Sequence, residues 1–221
     1  MRNELKCLFI LLCFTTFCQC ANGQAAKKFN FAKLFNEKKL TVIKREAKLQ
    51  KDGSREYIVL NEDVDEGLVW IDGESFSTGT VEIDLKGQDV YQHSFLGIAF
   101  HGANDSTFDA IYFRPFQFNT ADSVRKTRAI QYVSLPNNTW QVLREKHPGV
   151  YEKTVNPAPD PNNWFHAKIV VTKSNIMVYV NGAANPCISV DIINNRKTGR
   201  IALYTADRSG GSFANLSISN K

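Results

Sequence analysis

The chain has 221 residues, with 27 Lys+Arg against 22 Asp+Glu and a formal net charge of +5; 43% of its residues are hydrophobic and 11% aromatic. The mild basicity permits an acidic ligand but does not imply a nucleic-acid partner. Of its five cysteines only Cys187 lies beyond residue 20, so the remainder has no pair from which to build a disulfide.

Residues 1–24 read as a secretory signal peptide. Arg2 and Lys6 form a basic start, residues 8–14 an apolar core too short to span a bilayer comfortably, and Ala21-Asn22-Gly23 a small-residue cleavage region. The expected product is secreted or periplasmic. A surface lipoprotein fits less well, because Phe17 and Gln19, before Cys18 and Cys20, are not the small residues of a lipobox. The mature chain has no apolar run long enough for a transmembrane span. Residues 25–39 are rich in lysine and are expected as a basic N-terminal tether; residues 40–221 are expected to be the domain.

Beyond residue 40 the pattern is β-like. Residues 57–60 and 68–71 are short apolar runs divided by an acidic turn, Asn61-Glu62-Asp63-Val64-Asp65-Glu66-Gly67. That turn is the one place whose oxygens suit Ca²⁺, although its spacing is not that of an EF-hand. Val81-Glu82-Ile83-Asp84-Leu85-Lys86 alternates strictly, a half-buried strand with its charges on one face. Strands are also expected at 95–100, 108–113, 129–134, 164–172, 176–180, 187–193, 200–204 and 213–219, with turns between them. Roughly a dozen short strands with regular turns, and no long helix, indicate an all-β sandwich or barrel.

Phe76-x-x-Gly79-x-Val81-Glu82-x-Asp84, Gly97-Ile98-Ala99-Phe100, Tyr112-x-Arg114-Pro115 and Gln131-Tyr132 resemble the concanavalin A-like lectin/glucanase superfamily. Val178-Tyr179-Val180-Asn181-Gly182, Gly199-x-Ile201-Ala202-Leu203-Tyr204 and Phe213-x-Asn215-Leu216 extend the likeness, which is nearest to secreted bacterial LamG-type and 3-keto-disaccharide hydrolase (DUF1080-like) domains. The resemblance implies a two-sheet antiparallel jelly-roll sandwich with a glycan site on its concave face. The superfamily holds both enzymes and binders, so the resemblance does not decide catalysis.

Chemistry-bearing residues concentrate between Tyr112 and Glu152, which contain Arg114, Arg125, Arg128 and Arg144 among Tyr112, Phe116, Tyr132, Trp140 and Tyr151. Arginine with aromatics suits recognition of planar, anionic or sugar-like groups. Tyr112 and Arg114 lie two apart, on one strand face, and Pro115 should end that strand and leave Arg114 at a sheet rim. Arg128 and Tyr132 share parity, which turns Gln131 the other way or into a bulge. His101 shares parity with Gly97 and Ala99, small residues that leave room for a groove. The segment 136–152 is expected as a flap. Either Trp140 and Tyr151 stack on sugar rings with Arg144, Glu145 and Glu152 adding contacts, or Trp140 is buried and Arg144–Glu152 is an internal ion pair.

The substrate-binding set is therefore His101, Tyr112, Arg114, Arg128, Gln131, Tyr132, Trp140, Arg144 and Glu152. Glu82-Ile83-Asp84 invites comparison with laminarinase-type glycosidases, but Gly87 stands where the second glutamate belongs, so the pair needed for retaining hydrolysis is missing. Asp109, Glu145 and Glu152 are the remaining carboxylate candidates. His93, His147 and His166 are scattered, and no metal site is expected apart from the Ca²⁺ option. The expected function is an exported carbohydrate-interacting protein whose partner is an oligo- or polysaccharide. The alternatives are a polysaccharide lyase acting on a uronate polymer, in which a cation neutralises the carboxylate and Tyr or His moves the proton, and a non-catalytic cell-surface module.

Overall fold

The computed structural model describes residues 25–220, so the signal-peptide reading of residues 1–24 lies outside the described residues. Fifteen strands follow in chain order: β1 (Lys27–Lys28), β2 (Leu40–Ile43), β3 (Ala47–Asp52), β4 (Arg55–Leu60), β5 (Gly67–Phe76), β6 (Gly79–Lys86), β7 (Leu96–Asn104), β8 (Thr107–Phe113), β9 (Ile130–Ser134), β10 (Glu152–Lys153), β11 (Phe165–Val171), β12 (Asn175–Val180), β13 (Ile188–Asp191), β14 (Gly199–Thr205) and β15 (Gly211–Asn220). They form two antiparallel sheets. One has eight strands, in the order β13-β12-β11-β6-β15-β4-β3 with β1 added on β15; the other has seven, in the order β10-β9-β8-β7-β14-β5-β2. The expected two-sheet jelly-roll sandwich is the fold found. Among the described residues no helix is long and apolar enough to cross a membrane.

Alternation fixes which faces meet. In β6 the side chains of Val81, Ile83 and Leu85 are fully buried, while Glu82, Asp84 and Lys86 point outward as their spacing predicts. Phe165 of β11 packs edge-on against Phe113 of β8, ring centroids 5.0 Å apart, and against Phe118 at 5.4 Å. Phe113 therefore faces the sandwich interior, where burying a phenylalanine contributes about 1.5–3 kcal/mol. Period-two alternation then turns its neighbour Tyr112 to the opposite, outer face of the seven-stranded sheet. That single orientation positions the site.

Three segments depart from expectation. The lysine-rich N-terminus is docked and is not a tether. Lys27 pairs with Ile218, the Asn30 side chain accepts from the Lys33 amide to cap α1 (Phe31–Asn36), and Phe31, 3% exposed, enters the core. Burial of that one ring is the physical reason this stretch belongs to the domain. The flap contains a short helix, α3 (Trp140–Lys146), which follows the single turn α2 (Ser123–Lys126) and is capped by Thr139 and anchored by buried Leu143. The acidic turn surrounds an arginine: the Arg45 guanidinium donates to the carbonyls of Lys44, Val64, Asp65, Ala206 and Ser209. It serves as the resident cation of a cage of backbone oxygens.

A candidate sugar cleft on the outer face of the seven-stranded sheet

Strand register assembles the site. Leu68 pairs with Tyr204, Tyr204 with Gly97, Gly97 with Tyr112, Tyr112 with Gln131 and Gln131 with Glu152. Directly opposed residues share a face, so these six form one row across the sheet on the side away from the core. Gly97 has no side chain, and the rings of Tyr112 and Tyr204 meet above it with centroids 5.7 Å apart. A Cβ at Gly97 would also fall 2.0 Å from the Ile111 carbonyl oxygen, so no larger residue fits. The next row, Ala202, Ala99, Ala110 and Val133, is small and leaves space above the sheet.

The space is a cleft of about 400 Å³. Tyr112, Tyr204, Arg114 and Glu66 line it. So do Tyr91, Phe116 and Arg125, with Arg125 stacked over the Tyr91 ring at 4.2 Å and Phe116 edge-on to Tyr91 at 5.6 Å. Trp140, Arg144 and Arg128 line another part, with Arg144 over the Trp140 ring at 4.8 Å.

Three guanidinium groups converge on one carboxylate. Arg144 forks onto Glu152, with Nε 2.9 Å from Oε1 and Nη2 2.6 Å from Oε2. Arg128 Nε stands 3.6 Å and Arg114 Nη1 4.0 Å from the same carboxylate. Arg114 also donates to the Arg128 carbonyl at 2.6 Å, to the Tyr112 hydroxyl at 2.9 Å and to Gln131 Oε1 at 3.3 Å. Pro115, at the start of a 3₁₀ turn (Pro115–Gln117), ends the strand there and holds Arg114 at the rim. Three positive charges against one negative leave an excess of cationic charge facing the cleft, able to receive an anionic or oxyanionic group.

Glu66 stands apart from this cluster. Its carboxylate accepts a hydrogen bond from the Tyr204 hydroxyl. Burial pushes its pKa above the ordinary carboxylate range; Asp207 and Asp65 add to that rise, and the Tyr204 bond and Arg45 oppose it. Burial likewise raises the Tyr112 phenol to about 12, against the pull of Arg114, and raises Tyr204 well above its usual value. Both phenols are therefore neutral donors at physiological pH.

Six of the nine expected residues come together in this way: Tyr112, Arg114, Arg128, Trp140 and Arg144 line the cleft, and Glu152 binds its arginines from behind. Gln131 is buried in the same row, holding Arg114 and donating to the carbonyls of Tyr132 and Tyr151. Its orientation corrects the parity expectation, because pairing with Tyr112 puts Gln131 on the cleft side and turns Tyr132 inward. His101 is also off the cleft. It sits inside β7 at φ 51°, where the register with β8 shifts, and its ring contacts Asp109 at 3.2 Å and the Ser77 carbonyl at 2.7 Å. His101 and Tyr132 belong instead to a knot around Asp109, which also accepts from Asn194 at 2.6 Å and Arg196 at 3.0 Å. Burial alone would raise the Asp109 carboxyl, but the bond to His101 and the charge of Arg196 outweigh it and hold the pKa below the usual range.

The flap holds the ion pair of the second alternative but not its buried Trp140. Trp140 is 46% exposed, while Arg144–Glu152 is an internal ion pair. Glu145 accepts from Gln141, and Tyr151 packs on Tyr132. Glu82 and Asp84 face outward on the other sheet, where Asp84 binds His166 and Asn215. Burial pushes the Cys187 thiol up to about 12, which keeps it in the protonated form. Among the described residues no three His, Cys, Asp or Glu side chains gather as metal ligands. Sequence reasoning missed Glu66 and Tyr204 as cleft residues. The alternation of Ala202 and Tyr204 was the available signal for the second; Glu66 was hidden inside an acidic turn.

Comparison with known proteins places this geometry. The family model described as "3-keto-alpha-glucoside-1,2-lyase-like domain" matches residues 30–219. No curated protein matches the chain in sequence. Among solved structures, the carbohydrate-binding module CBM66 of Bacillus subtilis is 14% identical at a TM-score of 0.52, covering 82% of this chain and 92% of that one. A Bacillus subtilis protein of unknown function with a galectin-like fold is 11% identical at a TM-score of 0.53, covering 83% and 90%. A Bacteroides ovatus mixed linkage glucan GH16 protein, in complex with product, is 15% identical at a TM-score of 0.50, covering 89% and 86%. At these identities the structures establish a shared fold: a β-sandwich used by carbohydrate-binding modules and glycoside hydrolases.

Proposed function

The chain belongs to the 3-keto-alpha-glucoside-1,2-lyase-like domain family, and from that premise we propose that its cleft binds and processes a carbohydrate on the concave face of the seven-stranded sheet. The observation that carries this reading is the convergence of Arg114, Arg128 and Arg144 on the single carboxylate of Glu152, beside two neutral tyrosines. Surplus guanidinium charge and phenol hydroxyls are donors for a sugar carbonyl or carboxylate, and the exposed indole of Trp140 supplies a surface for a pyranose ring. The ligand is an oligo- or polysaccharide. The leader-like residues 1–24 support export, so the protein acts in the periplasm or outside the cell.

Titration calorimetry with neutral glucosides, 3-keto-glucosides and uronic-acid oligosaccharides tests the reading. Binding of one class is expected, and Arg128→Gln should weaken it. If all three classes are silent, the cleft is not a sugar site. The cationic excess also favours a second reading, a lyase acting on a uronate polymer, in which these arginines neutralise the uronate carboxylate. Ultraviolet absorbance from a new double bond on uronate polymers, without turnover of keto-glucosides, would select it. Binding without turnover of any sugar would select a non-catalytic surface module.

A further inference from the structure

The carboxylates around the cleft are not equivalent. Glu152 is held by Arg144, with Arg128 and Arg114 beside it. Asp207 is 60% exposed and lies 3.6 Å from Arg208 Nε. Glu66 lines the cleft, has no guanidinium within ion-pair distance among the described residues, and takes its one side-chain hydrogen bond from a phenol, Tyr204. Beyond the Tyr204–Tyr112 ring contact stands Arg114, which donates to the Tyr112 hydroxyl. A guanidinium can only donate, so the phenol keeps its own proton for another acceptor. A carboxylate thus shares the cleft with a guanidinium and a phenol proton, the two tyrosine rings between them tilted at 53°.

Removal of a C–H proton beside a carbonyl requires a base at the carbon and donors at the oxygen, where the charge develops. We propose that Glu66 is the general base that takes the proton from the carbon adjacent to a sugar carbonyl, while Tyr112 and Arg114 receive the enolate oxygen. The assignment rests on the cleft being the carbohydrate site. The C–H electron pair becomes the enolate double bond as the carbonyl π pair moves onto oxygen. Collapse of the enolate re-forms the carbonyl and expels an alkoxide from the carbon one bond further on, leaving an unsaturated ketone. The proton carried by Glu66 passes to the departing oxygen, which restores the carboxylate. Tyr204 is a positioning residue: its hydroxyl fixes the carboxylate and stays protonated throughout. Desolvation supports the role, since it makes the ionised Glu66 a stronger base than a surface glutamate.

The test follows a methyl 3-keto-α-glucoside in D₂O by proton NMR, with calorimetric binding measured on the same preparations. Wild type should lose the signal of the proton beside the carbonyl and release methanol. Glu66→Gln should still bind the sugar but exchange that proton about 10²–10⁴-fold more slowly. Glu66→Asp, with the base set back by one methylene, should retain part of the rate and move the acid limb of its pH profile. Exchange by Glu66→Gln at the wild-type rate overturns the assignment, as does a wild type that binds the sugar without exchange. If Glu66→Gln fails to fold by circular dichroism, an acid limb unmoved in Glu66→Asp overturns it. A wild type that binds no sugar overturns the reading of the cleft itself.

Discussion

Glu66 and Glu152 bracket the same row of the seven-stranded sheet, one bonded to Tyr204 and the other paired opposite Gln131. They share a side chain and little else. Glu152 is 7% exposed and lies among three arginines, so its charge is compensated several times over. Glu66 is desolvated beside a phenol, and its charge is a cost to the fold. Close guanidinium contacts make Glu152 an anchor; burial that the Tyr204 bond and the more distant Arg45 only partly offset leaves Glu66 the stronger base. One end of the row is built for rigidity and the other for proton transfer.

The sharpest break of this comparison is Glu152→Ala. It leaves Arg114, whose side chain is 4% exposed, as a buried cation without its carboxylate. Removing one partner of a buried ion pair costs about 3–5 kcal/mol, and urea unfolding should show a loss of that size. Glu152→Gln should cost less, because an amide oxygen still accepts from Arg144. A loss below about 1 kcal/mol for the alanine variant would mean that the arginines do not depend on Glu152.

Asp109 supplies a second anchor, with a pH signature. Its folded pKa is depressed, so its contribution to stability is present above the unfolded pKa of about 3.9 and is lost as pH falls through the folded value. Asp109→Asn should destabilise by about 1.5–3 kcal/mol at neutral pH, the worth of hydrogen bonds to a charged group. The gap from wild type should close in acid. An equal gap at pH 7 and in strong acid would remove the charge from the account.

Glu66 has the opposite sign. Its folded pKa is raised, so its stabilising contribution is complete below the unfolded value of about 4.3 and is lost as pH rises through the folded one. Glu66→Gln should therefore raise stability at neutral pH by about 0.5–2 kcal/mol, the usual scale on which function trades against stability. The gain should vanish in acid. A thermal melt series across pH reads both the size and the sign, and a loss at neutral pH would contradict the assigned environment.

The sequence shows the anchors' surroundings better than it shows their partners. Strict alternation in β6 and the two-residue spacing of Tyr112 and Arg114 are local, and both carry through to the structure. The orientation of Gln131 against Tyr132 is not local. It depends on which residue of β9 meets Tyr112, a register set by the intervening connection. His101 followed its strand's parity on paper, but a positive φ turned it toward Asp109. The contact of Glu66 with Tyr204 joins residues 138 apart in sequence, and no spacing rule reaches that far. The arginine side of the cleft was legible because it is dense in one stretch; the basic side was not, because it is made by two separate elements.

The smallest expected effect tests the arginine side alone. Trp140 sits on the first turn of α3 with 46% of its surface exposed, and Arg144 covers one face of its indole at 4.8 Å. An exposed side chain with one such contact contributes little to folding, so Trp140→Ala should shift stability by no more than about 0.5 kcal/mol. Its ring still orients Arg144 and offers its other face to a sugar. Loss of an exposed cation–π contact of about 0.5–1 kcal/mol corresponds to roughly a two- to fivefold weaker sugar affinity. Calorimetry on Trp140→Ala should find that small loss with the fold intact. Affinity unchanged from wild type would place the sugar ring away from the indole, nearer Tyr112, Tyr204 and Glu66.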